Sequence, residues 1–205
     1  MEKLPTCIHL ASSSPRRREL LTQIGVKFDV LFFRAPPRED EDISEAALPN
    51  EAPVDYVVRV ARAKAEGALR RSQWRNLPER PILAADTTLD LDGEIIGKPQ
   101  NEQHARETLR KLSGRSHRVL TAVVVAHRGE MEHRLSISSV TFKALDEDEI
   151  TRYLATGEPF DKAGAYGIQG FAAAFITEIC GSYSGIMGLP LFETAELLRH
   201  FGLRA

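Results

Sequence analysis

Short apolar runs of strand length alternate with stretches whose apolar residues return every three or four positions. That double rhythm predicts an α/β chain rather than an all-α or all-β one. Cys7 to Ala11 read as a first strand. A helix follows from Pro15, because proline suits a first helical turn and serine the cap before it. A second strand, VKFDVLFF, ends near Arg34. Val54, Val57, Val58, Ala61, Ala65 and Leu69 then mark one face of a helix that also carries Lys64. The stretch RPILAADTTLDLDGEIIGKP gives a buried strand, a hairpin turn at Asp92-Gly93 and a short return strand. Asn101 caps a helix running to Gly114, and two long β runs meet at the turn Arg128-Gly129-Glu130. Asp146 with Glu149 matches a capping box for a helix through Leu154. A glycine-rich loop, a strand and a final helix from near Pro190 complete the chain. Between the second strand and the next helix, Ala35 to Pro53 is acidic, proline-rich and without period, and reads as an exposed loop.

Composition narrows the function classes. With 205 residues, 42% of them hydrophobic, the chain can bury a substantial core, and without repeats or a clear linker it reads as one domain over residues 1–205. The formal net charge is −2, so phosphate binding would have to come from a local cluster. A nucleic-acid partner is disfavoured, because no basic stripe with interleaved aromatics is present. Cys7 and Cys180 lack metal or redox spacing and are expected as packing residues in a reducing compartment. The absence of a membrane-length apolar run or a leader-like start makes a cytoplasmic protein with no membrane partner the expectation.

Candidate chemistry sits at the turns. LASSSPRRRELL places three serines and three arginines where a strand gives way to a helix. A helix N-terminus offers unpaired N–H groups and partial positive charge, to which Ser12, Ser14, Arg16 and Arg17 could add charge-assisted bonds to phosphate. The plainer reading is capping serines and solvated arginines. Asp86 in AADTTL ends an apolar strand, the place where open α/β sheets put ligands, and its carboxylate could hold a divalent metal or take a proton from water. Lys98, between glycine and proline, follows the hairpin. His117 reads as a hydrogen-bonded structural residue. In EPFDKAGAYGIQG, the glycines allow close approach of a ligand, and Glu158, Asp161, Lys162 and Gln169 could read a base edge or a triphosphate. A glycine-rich hairpin connection is the plain alternative. The usual phosphate loop, dinucleotide fingerprint, nucleophile elbow and zinc helix are all missing.

Taken in order, LASSSPRRREL, RVARAKA, AADTTL, GEIIGKP, LRKLSGRSHRVLTAV, GEPFDKAGAYGIQG and GLPLFET closely resemble the Maf family of nucleoside triphosphate pyrophosphatases, nearly end to end. The resemblance implies a Maf/inosine-triphosphatase-like α/β fold, an elongated mixed sheet flanked by helices with a cleft between two lobes. It implies hydrolysis of a nucleoside triphosphate to the monophosphate and pyrophosphate with a divalent cation, Mg²⁺ or Mn²⁺. Asp86 matches the family's catalytic aspartate, as proton acceptor or metal ligand, and Arg16 or Arg17, Lys64 and Lys98 match its phosphate-facing basic residues. For the carboxylate that the pattern places after the second strand, Glu39 is the choice, also as a metal ligand, with Asp40 or Glu41 as alternatives.

Arg16, Thr87 and Gln169 resemble the dTTP/UTP branch, since an amide both donates and accepts and so suits a pyrimidine carbonyl and ring N–H. Thr88 departs from the family's usual aliphatic residue. The alternatives are a 7-methyl-GTP pyrophosphatase and a nucleotide-binding regulator of septum formation and cell division. The family also implies a homodimer.

Overall fold

The computed structural model describes residues 6–32 and 44–203. Its strands are β1 (Ile8–Leu10), β2 (Phe28–Val30), β3 (Ile82–Leu91), β4 (Glu94–Ile96), β5 (Ser116–His127), β6 (Glu130–Phe142) and β7 (Ile176–Cys180). They form one mixed sheet in the order β2-β1-β3-β5-β6-β7, with β4 paired to β3 beside that path. β1 is parallel to β2 and β3, and every other pairing is antiparallel. The helices are α1 (Pro15–Gln23), α2 (Pro53–Trp74), α3 (Glu102–Leu112), α4 (Glu147–Leu154), α5 (Tyr183–Ile186) and α6 (Leu191–His200).

Local chemistry explains most boundaries. Asn101 Oδ1 accepts the His104 N–H at 2.8 Å to start α3, and Asp146 with Glu149 closes a reciprocal capping box at α4. Asp92 and Gly93 both take positive φ, 54° and 90°, as a type I′ turn between β3 and β4 requires. Three expectations are corrected. The second strand stops at Val30 rather than near Arg34, because the one strand it pairs with, β1, is itself three residues long. Residues 33 and 34 lie outside the described ones. Cys180 is exposed rather than packed, since β7 is an edge strand with its outer residues in solvent, while Cys7 is half-buried. The short helix α5, capped by the Ser182 hydroxyl, was hidden in an expected loop.

The strand period of two positions the site. Ile82 and Ala84 of β3 point into a core shared with α2, through Val57, Val60, Ala61, Ala65 and Ala68. Leu83 and Ala85 point the other way, into a core shared with α1 and α6 through Leu20, Leu21, Leu197 and Leu198. Further along, Leu89 and Leu91 enter a third core built on α3, α4, Tyr166 and Phe175. Each large side chain buried in these cores contributes about 1.5–3 kcal/mol. Continuing the same alternation, Asp86 falls on the α2 side and Thr87 on the side of α1 and α6. Both lie on β3 between the residues of the nearer cores and those of the distant one.

Candidate active site

A cleft of about 1150 Å³ opens at that stretch of β3. One wall is the start of α1, Ser12 to Arg17, and the other is the glycine-rich segment from Glu158 to Gly170. Ser12, Ser14, Arg16, Arg17, Lys64, Asp86, Thr87, Lys98, Lys162 and Gln169 all line it. Glu39 lies outside the described residues, as do Asp40 and Glu41.

At the start of α1, Ser14 stands at the N-cap, but its side chain makes no capping bond. Helix geometry therefore leaves the first N–H groups after Pro15 without intrahelical partners, facing a cleft that Ser12 to Arg17 line. Such a terminus accommodates phosphate oxygens. The neighbouring arginines divide their work. Arg17 is fixed by the protein itself: its Nε donates to Gly188 O at 2.7 Å, Nη1 to Ser12 Oγ at 3.3 Å and Nη2 to Thr87 Oγ1 at 3.3 Å. Thr87 Oγ1 lies 3.0 Å from Thr121 Oγ1, which donates to Gly185 O at 2.8 Å. This relay ties α1, β3, β5 and the loop before α6 together behind the cleft. Burial pulls the Arg17 guanidinium below its ordinary value, and the charge of Asp86 opposes that pull. Arg16 stays open to the cleft, 3.9 Å from Asp161 across it.

On the α2 side, Lys64 Nζ donates to Asp86 Oδ1 at 2.7 Å and pairs with Glu45 Oε1 at 2.6 Å. Two carboxylates thus meet on one ammonium. Partial burial would raise the Glu45 carboxyl, but Lys64, by charge and hydrogen bond, with Lys98 and Arg17 behind it, holds it below the ordinary carboxylate range. Burial, with the charges of Asp86 and Glu45, pushes the Tyr56 phenol up to about 12. Lys98 lines the cleft as well, and its charge is one of those that act on Glu45.

Glu45 is the site residue that sequence reading missed. It belongs to an aperiodic acidic segment in which nothing separates one carboxylate from another, and only the packing of residues 44–52 on α2 brings it in.

The far wall is shaped by Glu158. Its carboxylate accepts Tyr153 Oη at 3.0 Å and the Phe171 N–H at 2.9 Å, and a side chain on Gly170 would collide with it. Lys162 Nζ is held by Glu158 O at 2.7 Å and Asp161 Oδ1 at 2.5 Å. Tyr166 Oη, 2.8 Å from His117 Nε2, anchors the loop to β5. Burial lowers His117 to about 4, so it is neutral at ordinary pH, in keeping with a structural role. Gln169 faces the cleft from this loop. Thr88, the unexpected polar residue, is buried with its hydroxyl 3.4 Å from Ile96 O.

Residues 7–201 match the family described as Maf-like protein. The chain belongs to the Maf family. It is 58% identical over 203 residues to a protein of Aromatoleum aromaticum named dTTP/UTP pyrophosphatase, covering 98% of each chain. A protein of the same name from Ralstonia nicotianae is 59% identical, with 93% of this chain and 92% of that one covered. Another, from Dechloromonas aromatica, is 55% identical over 96% of this chain and 98% of its own. Among solved structures, the Staphylococcus aureus Ham1 protein is similar with a TM-score of 0.50 at 14% identity, covering 95% of this Maf chain and 97% of that one. At that identity the likeness concerns the fold alone. It agrees with the expected mixed sheet flanked by helices.

Asp86 and Glu45 offer hard carboxylate oxygens, the donors that Mg²⁺ and Mn²⁺ take. Among the described residues no group of three or more His, Cys, Asp or Glu side chains gathers as a metal cage. Asp86 and Glu45 are thus the residues that could hold such a cation. No helix among the described residues is long and apolar enough to cross a membrane.

Proposed function

We propose that this protein hydrolyses dTTP and UTP to the monophosphate and pyrophosphate. One observation carries the reading: a single cleft sets the open N-terminus of α1, Arg16, Lys64 and Lys98 around the carboxylates of Asp86 and Glu45, facing a loop that bears Gln169. The high identity to Maf relatives named dTTP/UTP pyrophosphatase supports the substrate.

In this reading the triphosphate lies along the α1 terminus and the base meets the glycine-rich loop. Water attacks the α-phosphorus, a P–O bond forms, and the bridging bond to the β-phosphorus breaks. Asp86 accepts the water proton at its carboxylate. Lys64 and Lys98, with Arg16, neutralise charge on the phosphates, and charge stabilisation of this kind is commonly the largest part of catalysis in phosphoryl chemistry. Arg17 lines the same wall with its guanidinium fixed by Gly188, Ser12 and Thr87. Asp86 and Glu45 would hold a divalent cation, which when bound supplies further neutralisation of phosphate charge.

Base choice falls to Gln169, whose amide both donates and accepts. Release of pyrophosphate from dTTP, UTP, CTP, dATP, GTP and 7-methyl-GTP tests this. The expected result is selective release from dTTP and UTP, with Gln169→Glu lowering kcat/KM for dTTP by about 10- to 100-fold, as for one mismatched polar contact. Preference for 7-methyl-GTP in the parent protein would overturn the base assignment, and binding without turnover would favour a regulator.

A further inference from the structure

We propose that Tyr56 and Arg59 on α2 are positioning residues that clamp residues 44–51 against the helix and so hold Glu45 in the cleft. This rests on the reading that the Glu45 carboxylate works in the reaction. Glu45 stands on a segment without helix or strand, where no backbone ladder fixes its position. A side chain on such a segment spreads over many conformations unless other contacts restrain it. Those contacts come from one stretch of α2. Tyr56 Oη donates to Glu45 O at 2.9 Å, and Arg59 Nη2 donates to Ala46 O at 3.0 Å. The two carbonyls next to the Glu45 side chain are thereby taken by side chains three positions apart, which share a helix face.

The rest of the clamp secures Arg59. Its guanidinium meets Glu51 as a fork, Nε to Oε1 at 2.5 Å and Nη2 to Oε2 at 2.8 Å, while its carbon centre lies 5.5 Å over the Tyr56 ring. Glu51 Oε2 also accepts the Leu48 N–H at 2.9 Å, and the Glu51 N–H returns to Leu48 O at 3.1 Å, closing a tight turn. The Glu51 side chain is only 7% exposed, so its charge depends on the fork rather than on water. With its backbone tied here, Glu45 extends along α2 to Lys64, two turns beyond Tyr56, and meets the ammonium shared with Asp86. Arg59 itself does not line the cleft.

Steady-state kinetics on dTTP, with thermal melts, tests the clamp in Glu45→Gln, Arg59→Ala, Arg59→Lys, Tyr56→Phe and the double variant Arg59→Ala/Glu45→Gln. Misplacement of a working group by about 1 Å costs up to about 100-fold. Arg59→Ala is expected to lower kcat by about 10- to 100-fold with KM little changed. Arg59→Lys, which keeps charge but loses the fork, recovers part of that, and Tyr56→Phe, which keeps the ring in place, shows a smaller loss in kcat. In the Glu45→Gln background, Arg59→Ala brings no further loss, because both changes remove one contribution. Normal kcat in Arg59→Ala and Tyr56→Phe beside a crippled Glu45→Gln would overturn the clamp and leave the Glu45 reading standing. An equal loss from Arg59→Ala in both backgrounds would mark a general structural effect and also overturn it. Normal turnover in Glu45→Gln would remove the reading on which the clamp rests.

Discussion

Asp86→Asn is expected to lower turnover of dTTP by about 10²- to 10⁴-fold, the range over which a positioned proton-transfer group acts. The substitution keeps shape and removes charge. Asp86 lies on β3 in continuous register with β5, paired opposite Ala122, so the strand does not depend on the carboxylate. Lys64 keeps Glu45 as a partner, and an amide oxygen can still accept its hydrogen bond. The melting temperature should therefore stay close to that of the parent while kcat collapses. A folded variant with near-normal kcat would remove Asp86 from the reaction, and loss of folding together with activity would assign it to structure instead.

Arg17→Ala should give the opposite pairing, with stability and activity falling together. Its guanidinium satisfies Gly188 O, Ser12 Oγ and Thr87 Oγ1 in a partly buried position, and truncation leaves all three without that donor. Hydrogen bonds to charged groups contribute about 1.5–3 kcal/mol each, though they do not add, so a loss of about 3 kcal/mol is expected. For a chain of this size that lowers the melting temperature by about 6–12 °C. Because the same relay sets the start of α1 against the Gly188 loop, kcat/KM for dTTP should fall about 100-fold or more at a temperature where the variant is still folded. Arg17→Lys should rescue little, since one ammonium cannot serve three acceptors arranged for a fork. Arg16→Ala gives the contrast: its side chain is tied only loosely, 3.9 Å from Asp161, so activity should fall while stability holds.

That division between two adjacent arginines was not legible in the sequence, whereas much else was. Caps and turns with local chemistry, at Asn101, Asp146 with Glu149, and Asp92-Gly93, stand where residue type places them. The alternation along ILAADTT orients Asp86 toward α2 and Thr87 away from it, so a two-residue period already separates these two cleft residues onto opposite sides of β3. What escaped reading depends on partners far along the chain. Gly188 meets Arg17 across 171 residues, and nothing near either residue announces it. Glu45 stands in an aperiodic acidic stretch, and what sets it apart is contact with Tyr56 and Lys64 of α2 rather than any local pattern. The length of β2 depended on its partner strand rather than on its own apolar run.

In the proposed reaction, water attacks the α-phosphorus of a pyrimidine nucleoside triphosphate in the cleft of Asp86. Hydrolysis of dTTP in H₂¹⁸O with Mg²⁺, followed by mass spectrometry of both products, tests it most directly. The expected products are dTMP carrying one ¹⁸O and pyrophosphate carrying none, with both lost in Asp86→Asn. Label in the pyrophosphate, or dTDP with labelled phosphate, would contradict it.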